Sequence, residues 1–200
     1  MDGSSIVDWQ PVITGDAAMV RIGPSCGDGA NPSIVFPGAF NPLHAGHKEM
    51  AAWAQRYLNG PVEFEISITN VDKPVLTSLE IRQRLAQFSS LQSVWLTRAP
   101  TFLEKSVIFP QAIFVVGLDT IARIGNPTYY DGDGSRRDAA IEAISARHCR
   151  FLVFGRLLQA RFQALRHVEL PDSLLEICQE VTEDDFRQDI SSSELRRQRE

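Results

Sequence analysis

The sequence contains few cysteines and no long apolar segment. Its three cysteines, Cys26, Cys149 and Cys178, are widely spaced and form no Cys-x-x-Cys pair. We read them as reduced thiols and expect neither a disulfide framework nor a structural zinc site. No apolar run approaches the roughly 20 residues needed to span a bilayer, and the first residues lack the basic and apolar regions of a signal peptide. We therefore expect a cytoplasmic protein that does not insert into a membrane.

The sequence also has no excess of basic residues. The 20 lysines and arginines face 25 aspartates and glutamates, which gives a net charge of −5. Proteins that bind nucleic acid broadly are held by a basic surface, so we expect no nucleic-acid partner. Local basic clusters can still bind the phosphates of small molecules. The composition does not decide between a monomer and a homo-oligomer.

The chain length of 200 residues is enough for one domain, or for one domain and an arm. Residues 1–32 end in a loop rich in glycine and proline, and we interpret them as an N-terminal arm or linker. Within this arm, residues 12–13 and 19–22 each have the composition of a short strand. We place a single α/β domain at residues 33–200.

Apolar strands alternate with helical patterns throughout that domain. Such alternation implies right-handed crossovers between parallel strands. We expect a Rossmann-like, mostly parallel five-stranded sheet with helices on both faces, and ligands bound at the carboxyl ends of its strands. After the fifth strand we expect a helix over residues 157–167 and then a short strand up to Thr182. The five predicted strands cover residues 33–36, 62–68, 93–98, 112–116 and 150–154.

One segment between the first strand and the first helix carries much of the chemistry. It reads Phe36-Pro-Gly-Ala-Phe-Asn-Pro-Leu-His-Ala-Gly-His47, and a strong helix former follows it at residues 48–58. A helix begins with unpaired backbone N–H groups and the positive end of its dipole, which favour an anion there. Gly38 removes a side chain where the chain leaves the strand, so that a ligand can approach the backbone. The segment therefore suits a phosphate group.

The two histidines of this segment strengthen that interpretation. His44 and His47 are three residues apart and fall on neighbouring faces of one helical turn. A histidine titrates near neutrality, so we expect these rings to donate hydrogen bonds to phosphate and to carry positive charge when the anion arrives. The same residues also suit an ordinary turn before a solvated helix cap, or two ligands of a zinc ion.

The segment also matches a known pattern. Its residues fit Gly-x-Phe-x-Pro-x-His-x-Gly-His at Gly38, Phe40, Pro42, His44, Gly46 and His47. This resembles the signature of the nucleotidylyltransferase superfamily. That superfamily includes nicotinamide-mononucleotide adenylyltransferases, phosphopantetheine adenylyltransferases and cytidylyltransferases.

A second motif lies at the end of the sequence. Ile190-Ser-Ser-Ser-Glu-Leu-Arg196 has the composition of a hydroxyl-capped helix start with a basic face. It is similar to the Ile-Ser-Ser-Thr-x-x-Arg motif that follows the histidine motif in nicotinamide-mononucleotide adenylyltransferases, with Ser193 in place of threonine. Two motifs in this order make residues 33–200 most similar to adenylyltransferases that act on nicotinamide or nicotinate mononucleotide.

The resemblance implies roles for individual residues. Both motifs bind the ATP triphosphate in that family, and a Gly-x-Asp after a central strand contacts the ribose. Asp119 would be that aspartate, although it could equally cap the next helix. Lys73 resembles a lysine that meets the acceptor's phosphate, or is a solvated loop residue. The expected catalytic residues are His44, His47 and Arg196, and the expected nucleotide-binding residues are Gly38, Ala39, Phe40, Gly117, Asp119, Ser192 and Ser193.

The resemblance also implies a reaction. A phosphate oxygen of the acceptor would attack the α-phosphorus of ATP, and pyrophosphate would leave. Mg²⁺ would bridge the phosphate oxygens, and because it keeps several waters we assign it no protein ligand. Phosphopantetheine or another acceptor of cytidylyltransferase-like enzymes is an alternative, as is a catalytically silent nucleotide-binding module. A metal hydrolase built on the two histidines would need a third ligand.

Overall fold

The computed structural model describes residues 8–24, 31–71, 74–158 and 161–187, and within these ranges the chain forms nine strands and seven α-helices. The strands are β1 (Met19–Ile22), β2 (Ile34–Pro37), β3 (Val62–Ser67), β4 (Val94–Thr97), β5 (Ile113–Gly117), β6 (Arg150–Phe154), β7 (Arg156–Leu158), β8 (Arg161–Gln163) and β9 (Cys178–Val181). The helices are α1 (Gln10–Thr14), α2 (Ala45–Tyr57), α3 (Ser78–Leu85), α4 (Phe102–Ile108), α5 (Leu118–Gly125), α6 (Gly134–Ala146) and α7 (Asp172–Leu175).

Seven of the strands form one sheet in the order β1-β4-β3-β2-β5-β6-β9. All neighbouring strands are parallel except β1, which runs antiparallel to β4. The Rossmann-like α/β fold expected from the sequence is therefore confirmed. The order of the strands reverses between β2 and β5, and ligands bind at the carboxyl ends of strands beside such a switch point.

The sheet has seven strands, and the prediction of five was wrong in number. The first addition, β1, comes from the segment interpreted as an arm, where Met19 pairs with Thr97 of β4. The second is β9, the short strand expected before Thr182, which pairs with β6. The strand expected at residues 12–13 was wrong, since these residues lie in α1. Pro11 sits in the first turn of α1, where its fixed φ suits a helix.

The helix expected over residues 157–167 was also wrong. β7 and β8 form a two-stranded antiparallel ribbon in which Leu157 faces Phe162, and a short 3-10 turn at Leu165–His167 follows. The ring of Phe162 packs against Gly155, where a Cβ would lie 2.5 Å from it. Pairing and packing between distant residues overrode the local helix propensity.

Two apolar clusters lie on opposite faces of the sheet, because side chains alternate along each strand. Val35, Phe114 and Phe151 belong to one cluster, and Phe36 and Phe64 belong to the other. The cysteines that the structure describes, Cys149 and Cys178, are free thiols as expected, while Cys26 lies outside the described residues. Burial raises the pKa of Cys178 to about 12. Within the described residues, no helix has the length and apolarity needed to cross a membrane.

Candidate nucleotide-binding site

The two histidines of the predicted phosphate segment lie together at the start of α2. His44 is the N-cap residue, with an extended backbone, and α2 begins at Ala45. The backbone N–H of His44 donates to Nδ1 of His47 at 3.4 Å. The two rings are nearly parallel, with centroids 3.7 Å apart and planes 25° apart. The histidines therefore form one unit beside the unpaired N–H groups of the helix.

The hydrogen bond within this unit decides which nitrogen of His47 can act on a ligand. Because Nδ1 accepts, the hydrogen of the neutral ring is assigned to Nε2, which is then a donor. Burial, together with the nearby His44, lowers the pKa of His47 to about 4, and burial also lowers the pKa of His44. In the ligand-free protein His47 is uncharged at neutral pH. Burial penalises the charged form of this ring, and the positive charge expected when an anion binds stays a prediction.

The loop before α2 is shaped by Phe40. Its backbone has a φ of 42°, its side chain is 1% exposed, and its ring packs edge-on against His47, with centroids 5.1 Å apart. A Cβ on Gly38 would lie 2.6 Å from this ring. Gly38 thus makes room for the ring of Phe40, and its expected role in letting a ligand approach the backbone stays a prediction. Any contact that Phe40 makes with a nucleotide falls to its backbone, because its ring is buried.

Two side chains of α3 and its C-terminal end, which the sequence analysis missed, hold this loop from the other side. Arg84 donates to the carbonyl of Ala39 at 3.1 Å. Gln87 donates to the carbonyl of Phe40 at 2.9 Å and accepts from the N–H of Leu43 at 2.8 Å. Arg84 and Gln87 are three residues apart, a spacing that places two side chains on the same side of a helical turn. This spacing indicates that both contact the same neighbouring segment, but it does not identify that segment.

The second expected nucleotide element follows β5. Gly117 is the N-cap residue of α5, and a Cβ built on it would meet no atom within 4 Å, so the space beside it is open. Asp119 lies in the first turn of α5 and pairs with Arg156 of β7. The alternative role of Asp119 as the helix cap is therefore wrong. Its carboxylate is largely exposed and tied to the β7–β8 ribbon.

An open pocket of about 220 Å³ lies at the carboxyl ends of β2 and β3. Gly38, Ala39 and Arg84 line one side of it. A second pocket of about 270 Å³ is lined by Arg123, Tyr129 and other residues. The two pockets adjoin, because Asn70, Pro100, Phe102 and Thr120 line both. They form one concave surface that starts at the loop before α2, residues 38–44, and runs past α4 and α5. We call this loop the phosphate loop after the role predicted for it.

The first pocket is also lined by a buried ion pair that the sequence analysis missed. Lys105 of α4 lies 2.7 Å from Oε1 of Glu65 on β3, and both side chains are almost fully buried. Lys105 also donates to the carbonyl of Ala99 at 2.7 Å, and the hydroxyl of Thr97 donates to Glu65. The sequence did contain a signal for this pair. Glu63 and Glu65 alternate with apolar residues in a predicted strand, and a carboxylate that becomes buried in a sheet needs a buried partner.

The structure brings together only part of the predicted site. His44, His47, Gly38, Ala39 and Phe40 surround the start of α2, and Gly117 and Asp119 follow the adjacent strand β5. The other predicted site residues, Lys73, Ser192, Ser193 and Arg196, lie outside the described residues. Over residues 8–24, 31–71, 74–158 and 161–187, the structure contains no group of three His, Cys, Asp or Glu side chains that could hold a metal ion.

Comparison with known proteins gives one result that bears on this site. A family model described as cytidylyltransferase-like matches residues 35–198. The match starts in β2 and includes both the histidine segment and the serine–arginine segment near the end of the chain. No curated protein sequence matches the chain.

Proposed function

The chain belongs to the cytidylyltransferase-like family, whose chemistry is nucleotidyl transfer, and we propose that it transfers the adenylyl group of ATP to nicotinamide or nicotinate mononucleotide. The observation that carries the proposal is the stacked pair His44 and His47 at the start of α2, directly beside the switch point of a Rossmann-like sheet. Helix N–H groups and an imidazole donor together form a site for phosphate oxygens.

The triphosphate lies over the start of α2 in this proposal. ATP enters as its magnesium complex. Nε2 of His47 donates to an oxygen of the α- or β-phosphate, where negative charge grows during the reaction. A donor fixed in place before the reaction stabilises that charge without reorganisation. Arg196, Ser192 and Ser193 are assigned to the β- and γ-phosphates on the strength of the motif resemblance.

The reaction itself needs alignment more than covalent chemistry. A phosphate oxygen of the mononucleotide attacks the α-phosphorus of ATP in line. The bond from that phosphorus to the bridging oxygen of pyrophosphate breaks, and pyrophosphate leaves with its electron pair. The product is a dinucleotide, and no intermediate is attached to the protein.

The acceptor occupies the paired pockets beside the phosphate loop. Phe102 lines both pockets, and Tyr129 and Tyr130 line the second, so flat aromatic surfaces are available to a pyridine ring. Arg84 at the loop end of the first pocket supplies a cation for the acceptor's phosphate, and Lys73 is proposed as a second one. A mononucleotide with an aromatic base fits a surface that offers both aromatic rings and charged side chains.

Pyrophosphate release in parallel reactions tests the proposal. Each reaction contains ATP and Mg²⁺ with one acceptor: nicotinamide mononucleotide, nicotinate mononucleotide or phosphopantetheine. A matched set with CTP in place of ATP tests the donor base. We expect release with ATP and a pyridine mononucleotide. Release with phosphopantetheine alone, or with CTP alone, contradicts the proposed substrates, and ATP binding without any release favours a silent nucleotide-binding module.

A further inference from the structure

The carboxylate of Glu65 lines the pocket next to the phosphate loop. Its side chain is 1% exposed. Oε1 accepts hydrogen bonds from Lys105 and from Thr97, whereas Oε2 is buried and has no hydrogen-bond partner among the residues that the structure describes. Nearly all buried polar atoms of native proteins are hydrogen-bonded. A buried carboxylate oxygen without a partner beside a pocket therefore points to a ligand that donates a hydrogen bond.

Lys105 provides a complementary group next to this oxygen. Its ammonium carries three N–H donors. Two of them are used within the described residues, by Oε1 of Glu65 and by the carbonyl of Ala99. Lys105 also lines the same pocket. The buried pair thus offers one acceptor and one donor, side by side and held in place by the strand and by α4.

A primary carboxamide has the matching arrangement, since its NH₂ donates and its carbonyl accepts. We propose that Glu65 and Lys105 read the carboxamide of the acceptor's pyridine ring, with the NH₂ donating to Oε2 of Glu65 and the carbonyl accepting from Nζ of Lys105. The inference rests on the proposed adenylyl transfer to a pyridine mononucleotide and narrows it to the carboxamide form, nicotinamide mononucleotide.

The same arrangement discriminates against the carboxylate form. One oxygen of nicotinate can accept from Lys105, but its other oxygen would then lie against Oε2 of Glu65 without a hydrogen between them. Two carboxylates that share a buried site repel each other. A site that hydrogen-bonds a substrate group rejects an analogue that lacks it by large factors, and here repulsion adds to the missing bond.

Glu63 provides an internal control for Glu65. It lies two residues earlier on β3 and faces the same side of the sheet, and it is also buried. Its Oε2 accepts from Nε1 of Trp95 at 2.9 Å and lies 3.7 Å from Arg21. Glu63 lines neither of the two pockets described above. Replacing it removes a buried carboxylate from the same strand without touching the pocket.

The experiment compares nicotinamide and nicotinate mononucleotides as acceptors for the wild type, Glu65→Gln and Glu63→Gln, from pyrophosphate release at saturating ATP. We expect the wild type to favour the carboxamide by at least about a hundredfold in kcat/KM. Glu65→Gln should lower that ratio at least about tenfold, mainly through KM for the carboxamide substrate. Glu63→Gln should keep the wild-type ratio.

Two further measurements keep the test decisive. If Glu65→Gln fails to fold because Lys105 loses its partner, the double variant Glu65→Gln/Lys105→Met removes both charges and should show the same loss of preference. In the wild type, a mononucleotide with an N,N-dimethylcarboxamide has no amide N–H and should be used poorly. Equal use of this analogue, or an equal or greater rate with nicotinate mononucleotide, overturns the proposal.

Direct binding separates this inference from the proposed function. Calorimetry with nicotinamide mononucleotide and a non-hydrolysable ATP analogue needs no turnover. If the wild type binds the mononucleotide and Glu65→Gln does not, the carboxamide site stands even when no pyrophosphate is released. Release from both pyridine substrates at equal rates leaves adenylyl transfer in place and rejects the carboxamide site. If the wild type binds neither mononucleotide, both proposals fail.

Discussion

His44 and His47 are coupled through the backbone, because the N–H of His44 donates to Nδ1 of His47 while the two rings stack. The bond restrains the orientation of the His47 ring and leaves Nε2 as the ring's hydrogen-bond donor. The pKa of His47, lowered to about 4 by burial and by His44, keeps this ring neutral at the pH of a cell. In the ligand-free protein the ring of His47 is therefore a neutral hydrogen-bond donor and not a cation.

Removal of this donor should reduce turnover strongly. We expect His47→Ala to lower kcat by about a hundredfold or more, the scale of losing one preorganised contact to a developing negative charge. The assay is pyrophosphate release at saturating substrates. His148→Asn is the control, because His148 precedes β6 and so lies at the amino ends of the parallel strands, opposite to the carboxyl ends where α2 begins. A loss of tenfold or less in His47→Ala would reject its assigned role.

The lowered pKa of His47 also predicts how stability depends on pH. The unfolded chain binds a proton at His47 near pH 6.5, whereas the folded protein binds it only near pH 4. The unfolded state thus takes up more protons as the pH falls through this window, so the stabilisation present above pH 6.5 is lost towards pH 4. Between pH 7 and 4.5 the loss from His47 is about 2 kcal/mol.

Urea unfolding of the wild type and of His47→Gln at pH 7 and pH 4.5 measures this contribution. Glutamine keeps a hydrogen-bonding side chain but does not titrate, so the variant should lose about 2 kcal/mol less than the wild type between the two pH values. Both proteins contain the same carboxylates, so the contribution of these groups to the pH dependence of the unfolding free energy cancels when the two proteins are compared. Parallel losses in the two proteins would show that His47 titrates normally in the folded state.

The open space beside Gly117 predicts a variant that is stable but binds poorly. Gly117→Ala adds a methyl group that meets no protein atom within 4 Å, so the free energy of unfolding should change by less than about 1 kcal/mol. If a nucleotide fills that space, the methyl should weaken ATP binding about tenfold, within the range of overpacking costs. Gly134→Ala, whose Cβ would lie 3.8 Å from Arg137, should leave binding unchanged. Calorimetric titration with ATP tests both variants.

The pair between Asp119 and Arg156 allows the ribose role to be separated from a structural one. The carboxylate of Asp119 is largely exposed, and exposed pairs contribute about 0–1 kcal/mol to stability. Asp119→Ala should raise the KM for ATP about tenfold, through loss of a hydrogen-bonded charged group. Arg156→Ala leaves the carboxylate available and should not raise it. If both variants raise KM equally, the ion pair and not the ribose contact is what matters.

The sequence predicted the part of the molecule that depends on neighbouring residues. The alternating pattern at residues 62–68 and the apolar run at 112–116 gave strands close to β3 and β5, because side-chain periodicity follows directly from backbone geometry. The helix predicted at residues 48–58 corresponds to α2 for the same reason, although α2 begins three residues earlier, at Ala45. Those features need no knowledge of which strands become neighbours.

What could not be predicted depends on distant partners. Lys105 lies 40 residues from Glu65 along the chain, and only the order β4-β3-β2 places α4 over that strand. The depression of the His47 pKa follows from burial among aromatic rings, which composition does not reveal. The β7–β8 ribbon depends on the packing of Phe162 against Gly155. In each case a tertiary contact decides the chemistry of a residue whose local pattern is ordinary.

The pairing of β2 with β3 fixes the position of Glu65 relative to the loop before α2. Pro37 lies opposite Glu65, and the N–H of Gly38 donates to the carbonyl of Glu65 at 2.9 Å, so the start of the loop and Glu65 are held together by the hydrogen bonds between the two strands. A slip of one residue would turn Glu65 to the opposite face of the sheet. The register of these two strands therefore determines which side chain of β3 faces the pocket beside the loop, so a shift in register would remove Glu65 from that pocket even if every residue of the loop stayed the same.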